Sequence, residues 1–381
     1  GAVIADHEFT ACKPAASIYS SVHELTAWMR MWLANGAWNG KPLLTQASLA
    51  ELWHPHVTMS GGSGASAADF RGYGALVALG GALENLVLAA HAEGLEAALQ
   101  LFPLGEAQEL VASVACHDRV VAGVEPHWRD DLAPMIAVRH TNRRSARERL
   151  APPVLAELVA AIRSIDGADV HILEGEAALT AVGELVGAAD RLRFLDESCN
   201  RELLGEICWT AEEAERRRDG LDMNVLELSR GDQAALQMLR SWPSLRLLRA
   251  WGGGRGFVKA GLTAITSSAA VGLITMPRAD PASYVRGGRA MERMWLSAQS
   301  HGLAVHPMTT LPYLFARVLR GGGEGLDPAT AEEARRLRAP YLGLFPVADD
   351  AAEVLLFRVS QAEPTPARSL RRRLADVLVV A

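Results

Sequence analysis

The sequence predicts an α+β protein, and two patterns within its 381 residues predict it. Short β-like runs are scattered along the chain and separated by several helices, without the strict strand-helix alternation of a doubly wound parallel sheet. Hydrophobic content of 49% against 22% charged residues is the balance of a chain that buries a real core, as two unequal domains or one large domain with an appendage.

The elements follow in order. Ser21 is a good N-cap with Glu24 behind it, and Leu25, Trp28, Met29 and Trp32 recur at helical spacing, giving a short N-terminal helix that ends at Asn35-Gly36. Residues 60–66, SGGSGAS, suit neither helix nor strand and read as a flexible linker. The chain thus divides into an N-terminal unit, 1–59, a linker, 60–73, and a main domain, 74–381. Residues 74–92, GALVALGGALENLVLAAHA, are apolar on nearly every face except at Glu84, Asn85 and His91, so this helix is expected to be buried on most sides. Gly80, Gly81 and Ala82 would let another helix approach closely. β-like runs follow at 96–102, 110–116, 169–174, 270–276, 341–347 and 354–360. Two further helices are VLAELVAAIRSI, after a Pro152-Pro153 pair that suits a first turn, and PASYVRGGRAMERMWLSAQSHGL, which terminates at Gly302. No internal repeat of fixed period is present.

A formal charge of -6 gives no net basic face for nucleic acid. Arg216-Arg217-Arg218 reads as a solvated helix face, and Arg371-Arg372-Arg373 is a second locally basic run. Cys12, Cys116, Cys199 and Cys208 are scattered with no CxxC pair, so neither a disulfide framework nor a zinc site is indicated and a reducing cytoplasm is the simplest compartment. The segment GAVIADHEFTACKP lacks the basic stretch and apolar core of a secretory signal. No apolar stretch approaches the ~20 residues a membrane helix needs, so no membrane partner is expected.

Three segments could carry chemistry. Arg139-His140-Thr141-Asn142-Arg143-Arg144 offers three guanidinium groups, an imidazole and a hydroxyl within one loop, a donor set suited to a phosphate, or simply a solvent-exposed basic loop. Gly287 to Gly302, then Leu303-Ala304-Val305-His306-Pro307, is a helix running into a turn; Ala290, Met294 and Ala298 on one stripe equally suit an ordinary core helix. After the last strand come Pro364, Pro366, Arg368 and Arg371, a second clamp or an untethered basic tail.

Arg139-His140-Thr141-x-Arg143 resembles the Arg-[Arg/His]-[Ser/Thr]-x-[Arg/Lys] segment with which nitroreductase-family proteins hold the FMN phosphate and ribityl chain. The late helix with Gly302-Leu303-x-x-x-Pro307 is similar to the family's helix and turn near the isoalloxazine ring. Arg368 and Arg371 match the basic residue that returns to the phosphate after the family's last strand. Together with Arg191-Leu192-Arg193-Phe194-Leu195, the Arg201-Glu202-Leu203 helix, Trp209-Thr210-x-x-Glu213 and Arg218-Asp219-Gly220-Leu221-Asp222, residues 75–378 resemble nitroreductase-like domains fused behind ThiF-type adenylating domains. The resemblance implies a nitroreductase-like fold with a central, mostly antiparallel sheet flanked by helices. It implies FMN as cofactor, with Arg139, His140, Thr141, Arg143, Gly302, Leu303, Arg368 and Arg371 as its contacts, and no catalytic side chain or metal.

Two features depart from that pattern. No ThiF-type module precedes the domain, and the Pro-Ser-x-x-Asn-x-Gln-Pro-Trp-like segment that packs over the flavin from the opposite half of the dimer is missing. In its place, residues 1–57 look like the late helical part of class C β-lactamase-related hydrolases. Tyr19-Ser20-Ser21 reads there as a strand-to-helix entry with Ser21 capping, and no Ser-x-x-Lys occurs in the chain, so acyl transfer is not expected. His54-Pro55-His56 reads as a loop pair rather than a metal site, and Trp251 to Gly256 as a mobile glycine-rich loop.

The function implied is an FMN-dependent oxidoreductase of the nitroreductase type, passing electrons from NAD(P)H to a nitro, quinone or similar acceptor, with the 74–92 helix suited to a homodimer core. The alternative is a non-catalytic flavin-binding or dimerisation module; a degenerate hydrolase-related interaction protein, without flavin, is a third reading.

Overall fold

The computed structural model describes residues 69–106, 110–118 and 130–373, together with the two-residue strands at 37–38, 41–42 and 57–58. The expected helix after Ser21, the Tyr19-Ser20-Ser21 entry, His54-Pro55-His56 and the linker at 60–66 lie outside the described residues.

The fold is α+β. Strands β1 (Ala37–Trp38) and β2 (Lys41–Pro42) form a small antiparallel ladder. Strands β3 (Val57–Thr58), β4 (Leu95–Leu101) and β5 (Leu110–Asp118) make an antiparallel sheet of order β3-β5-β4. Strand β6 (Asp169–Glu174) belongs to the central sheet, whereas β7 (Ile207–Cys208) and β8 (Leu221–Asp222) pair in parallel apart from it. The central sheet is completed by β9 (Ala270–Met276), β10 (Ala304–Pro307) and β11 (Ala352–Ser360); its order is β10-β11-β9-β6, with every pair antiparallel.

Every residue of β9 and β11 is buried, which is why AVGLITM shows no polar alternation: both faces of the sheet are covered. The pleat sorts their side chains. Ile274, Leu355, Phe357 and Val359 pack with Tyr73, Leu158, Tyr284 and Met294 on one face, while Val271, Leu273 and Leu356 pack with Val182, Ile265, Phe315 and Tyr341 on the other.

On the first face the helices Tyr73–Ala92 and Pro281–Ser300 cross at glycines. A Cβ on Gly80 would lie 2.0 Å from the Val285 carbonyl oxygen, so the small-residue stripe seen in the sequence is filled by the chain's own late helix rather than left for a second subunit. Stacking of Tyr73 on Tyr284, 4.0 Å between ring centroids, extends the contact. By length and composition the 23-residue stretch Phe70–Ala92, which contains an 18-residue window of mean hydropathy 1.5, could cross a membrane, which corrects the expectation that no apolar stretch is long enough; 72% of that window is buried inside the fold.

Three local expectations are also corrected. Residues 341–347 are not a strand: helix Arg338–Leu344 takes the first four, and Phe345, its C-cap, donates its nitrogen to Tyr341 O at 2.9 Å, so that the two rings, four apart, are both fully buried. The Trp251–Gly256 run is a bend held by hydrogen bonds, in which the Gly253 nitrogen donates to Leu248 O and Arg191 Nε donates to Gly253 O at 3.0 Å, before helix Arg255–Thr266 begins. Arg217 and Arg218 are not a solvated face, since Arg217 pairs with Glu213 and Asp219, and Arg218 reaches the C-terminal tail.

Candidate functional site

Helix Met135–Val138 stops at Arg139, whose φ of −58° and ψ of 131° turn the chain into an extended course through the 139–151 loop. Asn142 fixes that course. Its backbone nitrogen donates to Val305 O at 3.2 Å along the edge of β10, its Nδ2 donates to Glu363 O at 3.0 Å, and its Oδ1 accepts from the Arg144 nitrogen at 3.0 Å. The loop is thereby held between the edge strand and the C-terminal tail. The asparagine was the "x" of the sequence motif, yet it is 6% exposed and holds the loop in place.

The loop's arginines are not equivalent. Arg139 is buried, with Nε 2.9 Å from Glu292 Oε1 and its guanidinium 4.7 Å over the Trp295 ring. Burial pushes the Glu292 carboxyl up and Arg139 opposes that shift. Arg143 donates to Val225 O at 3.2 Å, and Arg144 meets Glu227 at 2.8 Å while donating to Pro364 O at 2.8 Å. His140 places Nδ1 2.9 Å from Val138 O, and its buried Nε2 has no hydrogen-bond partner among the described residues. Thr141 is half-buried beside them.

The tail closes over this loop. Arg371 donates to the carbonyl oxygens of Ile136 and Arg139, each at 3.4 Å, and its own carbonyl accepts from Arg218 Nε at 2.7 Å. Arg372 reaches Asp219 at 2.6 Å. Arg368 is exposed and takes no part in these contacts. Thus Arg139, His140, Thr141, Arg143 and Arg371 come together, and Arg368 stays outside.

Gly302 and Leu303 adjoin the site through β10, with a structural duty of their own. Gly302, at φ +67°, ends helix Pro281–Ser300; its nitrogen donates to Gln299 O, and the Leu303 nitrogen donates to Ala298 O at 2.9 Å, a Schellman turn that buries the Leu303 side chain. The chain beyond Gly302 is strand β10 rather than an irregular turn.

Four residues of this neighbourhood were not singled out in the sequence: Asn142, Glu292, His306 and Arg358. Glu292 and Arg358 each interrupt an otherwise apolar stripe, and a charge at a buried register position was the available signal.

More guanidinium groups converge here than carboxylates. Arg139, Arg143, Arg144, Arg218, Arg358, Arg371 and Arg372 meet Glu215, Glu227, Asp219 and Glu292 among the described residues. The balance favours an anion, and the planar forks of Arg143 and Arg371 and the Thr141 hydroxyl are a donor set that fits a flavin phosphate, while His140, donating from Nδ1 to Val138 O, keeps an unpartnered Nε2 that can accept from a ligand hydroxyl. Among the described residues no group of three His, Cys, Asp or Glu side chains is placed to hold a metal.

No family model matches the chain. It is 28% identical over 310 residues to the Mycobacterium tuberculosis (strain CDC 1551 / Oshkosh) protein described as uncharacterized protein MT1398. That match takes in 81% of this chain and 42% of MT1398, so the chain spans less than half the length of the curated relative it matches. Solved structures of similar outline include the FMN-dependent nitroreductase NfnB from Mycobacterium smegmatis in complex with NADPH, 12% identical, covering 65% of this chain and 97% of that one at a TM-score of 0.37. A nitroreductase with bound FMN from Bacteroides fragilis is 10% identical over 66% of this chain and 98% of its own, TM-score 0.36. A BluB-like flavoprotein from Clostridium difficile 630 is 9% identical over 68% and 99%, also at 0.36. At such scores these likenesses decide nothing about the chemistry of this chain.

Proposed function

We propose that residues 74–381 bind FMN and act as an oxidoreductase of the nitroreductase type, passing electrons from NAD(P)H to a nitro, quinone or similar acceptor. One observation carries the reading: the Arg139–Arg143 loop and the tail at Arg371, far apart in sequence, meet over a surplus of guanidinium groups. When bound, FMN supplies the hydride chemistry. The chain supplies Arg143, Arg371 and Thr141 as phosphate and ribityl donors and His140 Nε2 as an acceptor for a ribityl hydroxyl, with the backbone after Gly302 beside the ring. Arg139 holds the loop to the core through Glu292, and Arg368 lies free to reach a ligand from outside. The reading also takes the protein as a cytoplasmic homodimer whose partner subunit provides the flavin wall missing from the sequence, and residues 1–59 as a hydrolase-derived fragment.

The visible absorption spectrum after adding FMN and removing the excess tests this, with Arg143→Ala and Arg371→Ala in parallel. A retained flavin band that the substitutions weaken supports the reading, and no bound flavin in the wild type refutes it. Arg139→Ala is unsuitable, because it strips Glu292 of its counter-ion and reports on stability. Stoichiometric flavin without NAD(P)H oxidation would mark a non-catalytic flavin-binding module, the reading favoured by the absent Pro-Ser-x-x-Asn-x-Gln-Pro-Trp-like segment.

A further inference from the structure

Arg358 stands inside β11 and is 5% exposed. A guanidinium so placed costs several kcal/mol unless an anion meets it. Its Nε donates to His306 Nδ1 at 3.1 Å and its Nη2 donates to the backbone oxygen of Arg143; among the described residues no carboxylate bonds to it. The charge that acts on it is of like sign: burial first and Arg143 second bring Arg358 down to about 10. Arg143 is itself lowered by burial, and the carboxylate that opposes this, Glu227, is held by Arg144.

His306 is bonded to Arg358 and lies within the field of Arg143. A guanidinium Nε can only donate, so His306 Nδ1 must offer its lone pair and the neutral ring carries its proton on Nε2. Burial, then Arg143 and Arg358, holds the imidazolium far below its usual range, so the ring is a neutral donor. Groups from the loop, from the edge strand β10 and from the central strand β11 therefore gather as donors around a place that lacks negative charge. A cation would be repelled there, and an apolar group would leave the donors unmet.

We propose that Arg143, Arg358 and the Nε2–H of His306 form a pocket for one phosphoryl group of the ligand, which we take as the monophosphate of FMN. The choice of FMN rests on the flavin reading above; the preference for an oxyanion rests on the charges alone. The pocket adds two ligand residues, His306 and Arg358, to those marked by the loop and tail motifs.

Fluorescence titration of flavin-free protein with FMN and with riboflavin, which lacks the phosphate, tests the pocket. Arg358→Gln should weaken FMN binding at least about tenfold, the loss expected for a hydrogen bond to a charged group, and leave riboflavin binding unchanged. Arg358→Lys, which keeps the charge, should recover part of the loss, and it serves if the glutamine variant fails to fold. Equal FMN affinity in the wild type and in either variant overturns the pocket while leaving the flavin reading intact. Wild type that binds neither flavin refutes that reading, and inorganic phosphate then decides the pocket in ¹⁵N-histidine NMR spectra. A His306 signal of the Nε2–H form that shifts saturably with phosphate upholds it; a signal that does not move overturns it.

Discussion

A methyl group added to Gly288 would lie 2.0 Å from the carbonyl oxygen of Val77. That oxygen belongs to a helix backbone and cannot turn aside. Gly288→Ala must therefore part the Tyr73–Ala92 and Pro281–Ser300 helices, at a cost of about 1–3 kcal/mol or more. Gly256→Ala, in a helix where nothing lies within 4 Å of the added atom, should fall within about 1 kcal/mol of wild type on the stabilising side. Urea midpoints of the two variants check the contrast.

The Arg139–Glu292 pair predicts a second contrast. Both side chains are buried, so Arg139→Met should cost about 3–5 kcal/mol by leaving a carboxylate without its counter-ion. Adding Glu292→Met should return most of that loss. A double-mutant cycle in chemical unfolding measures it, and a double variant no more stable than Arg139→Met would show that the pair is not what holds this contact.

Asp69 should make stability fall with rising pH. Its carboxylate accepts from the Gly74 and Ala75 nitrogens at the start of helix Tyr73–Ala92, but burial outweighs those bonds and raises it to about 6. Because the folded value lies above the unfolded one, the contribution is complete below about pH 4 and is lost as pH rises through about 6. The shift amounts to roughly 3 kcal/mol at most. Unfolding free energies at pH 4.5 and pH 7 should differ less in Asp69→Asn than in wild type.

Gly302 separates a structural duty from a binding one. No atom lies within 4 Å of an added Cβ, so Gly302→Ala should lose only the left-handed preference of glycine, about 1 kcal/mol in thermal unfolding, with flavin affinity unchanged. Asparagine at this position should lose less.

The tail is clasped by Arg218 and by the Arg372–Asp219 pair. Replacing both arginines with alanine should speed amide exchange across residues 361–373 and weaken flavin binding together. Hydrogen-exchange mass spectrometry checks the first effect and fluorescence titration the second.

Much of the architecture was legible in the sequence because burial left strong patterns. Helix 74–92 showed its apolar faces and its glycines, and Pro152-Pro153 and Gly302 marked the start and stop of two helices. The runs at 169–174 and 270–276 coincide with β6 and β9. The run at 341–347 misled because Tyr341, Leu342, Leu344 and Phe345 are as apolar and aromatic as a strand, and only the spacing of the two fully buried rings reveals a helix. At the site, the loop and tail arginines stood out through the resemblance of their motifs, whereas composition alone left an exposed basic loop and tail equally open. Glu292, Arg358 and His306 did not stand out, since each owes its significance to a neighbour brought up by tertiary folding. The sequence offered no sign that Arg139 faces inward to Glu292.

Strand β11 is the last of the described strands to be synthesised, yet it lies between β9 and β10. Until residues 352–360 leave the ribosome, those two strands have no bridge, and the nascent chain carries open edges that invite wrong pairing. Arg358 arrives on the same strand, so closure of the sheet and delivery of its guanidinium are a single event. A polypeptide halted before residue 352 would lack both, and a flavin that needs Arg358 would be taken up only by chains whose translation had run past it.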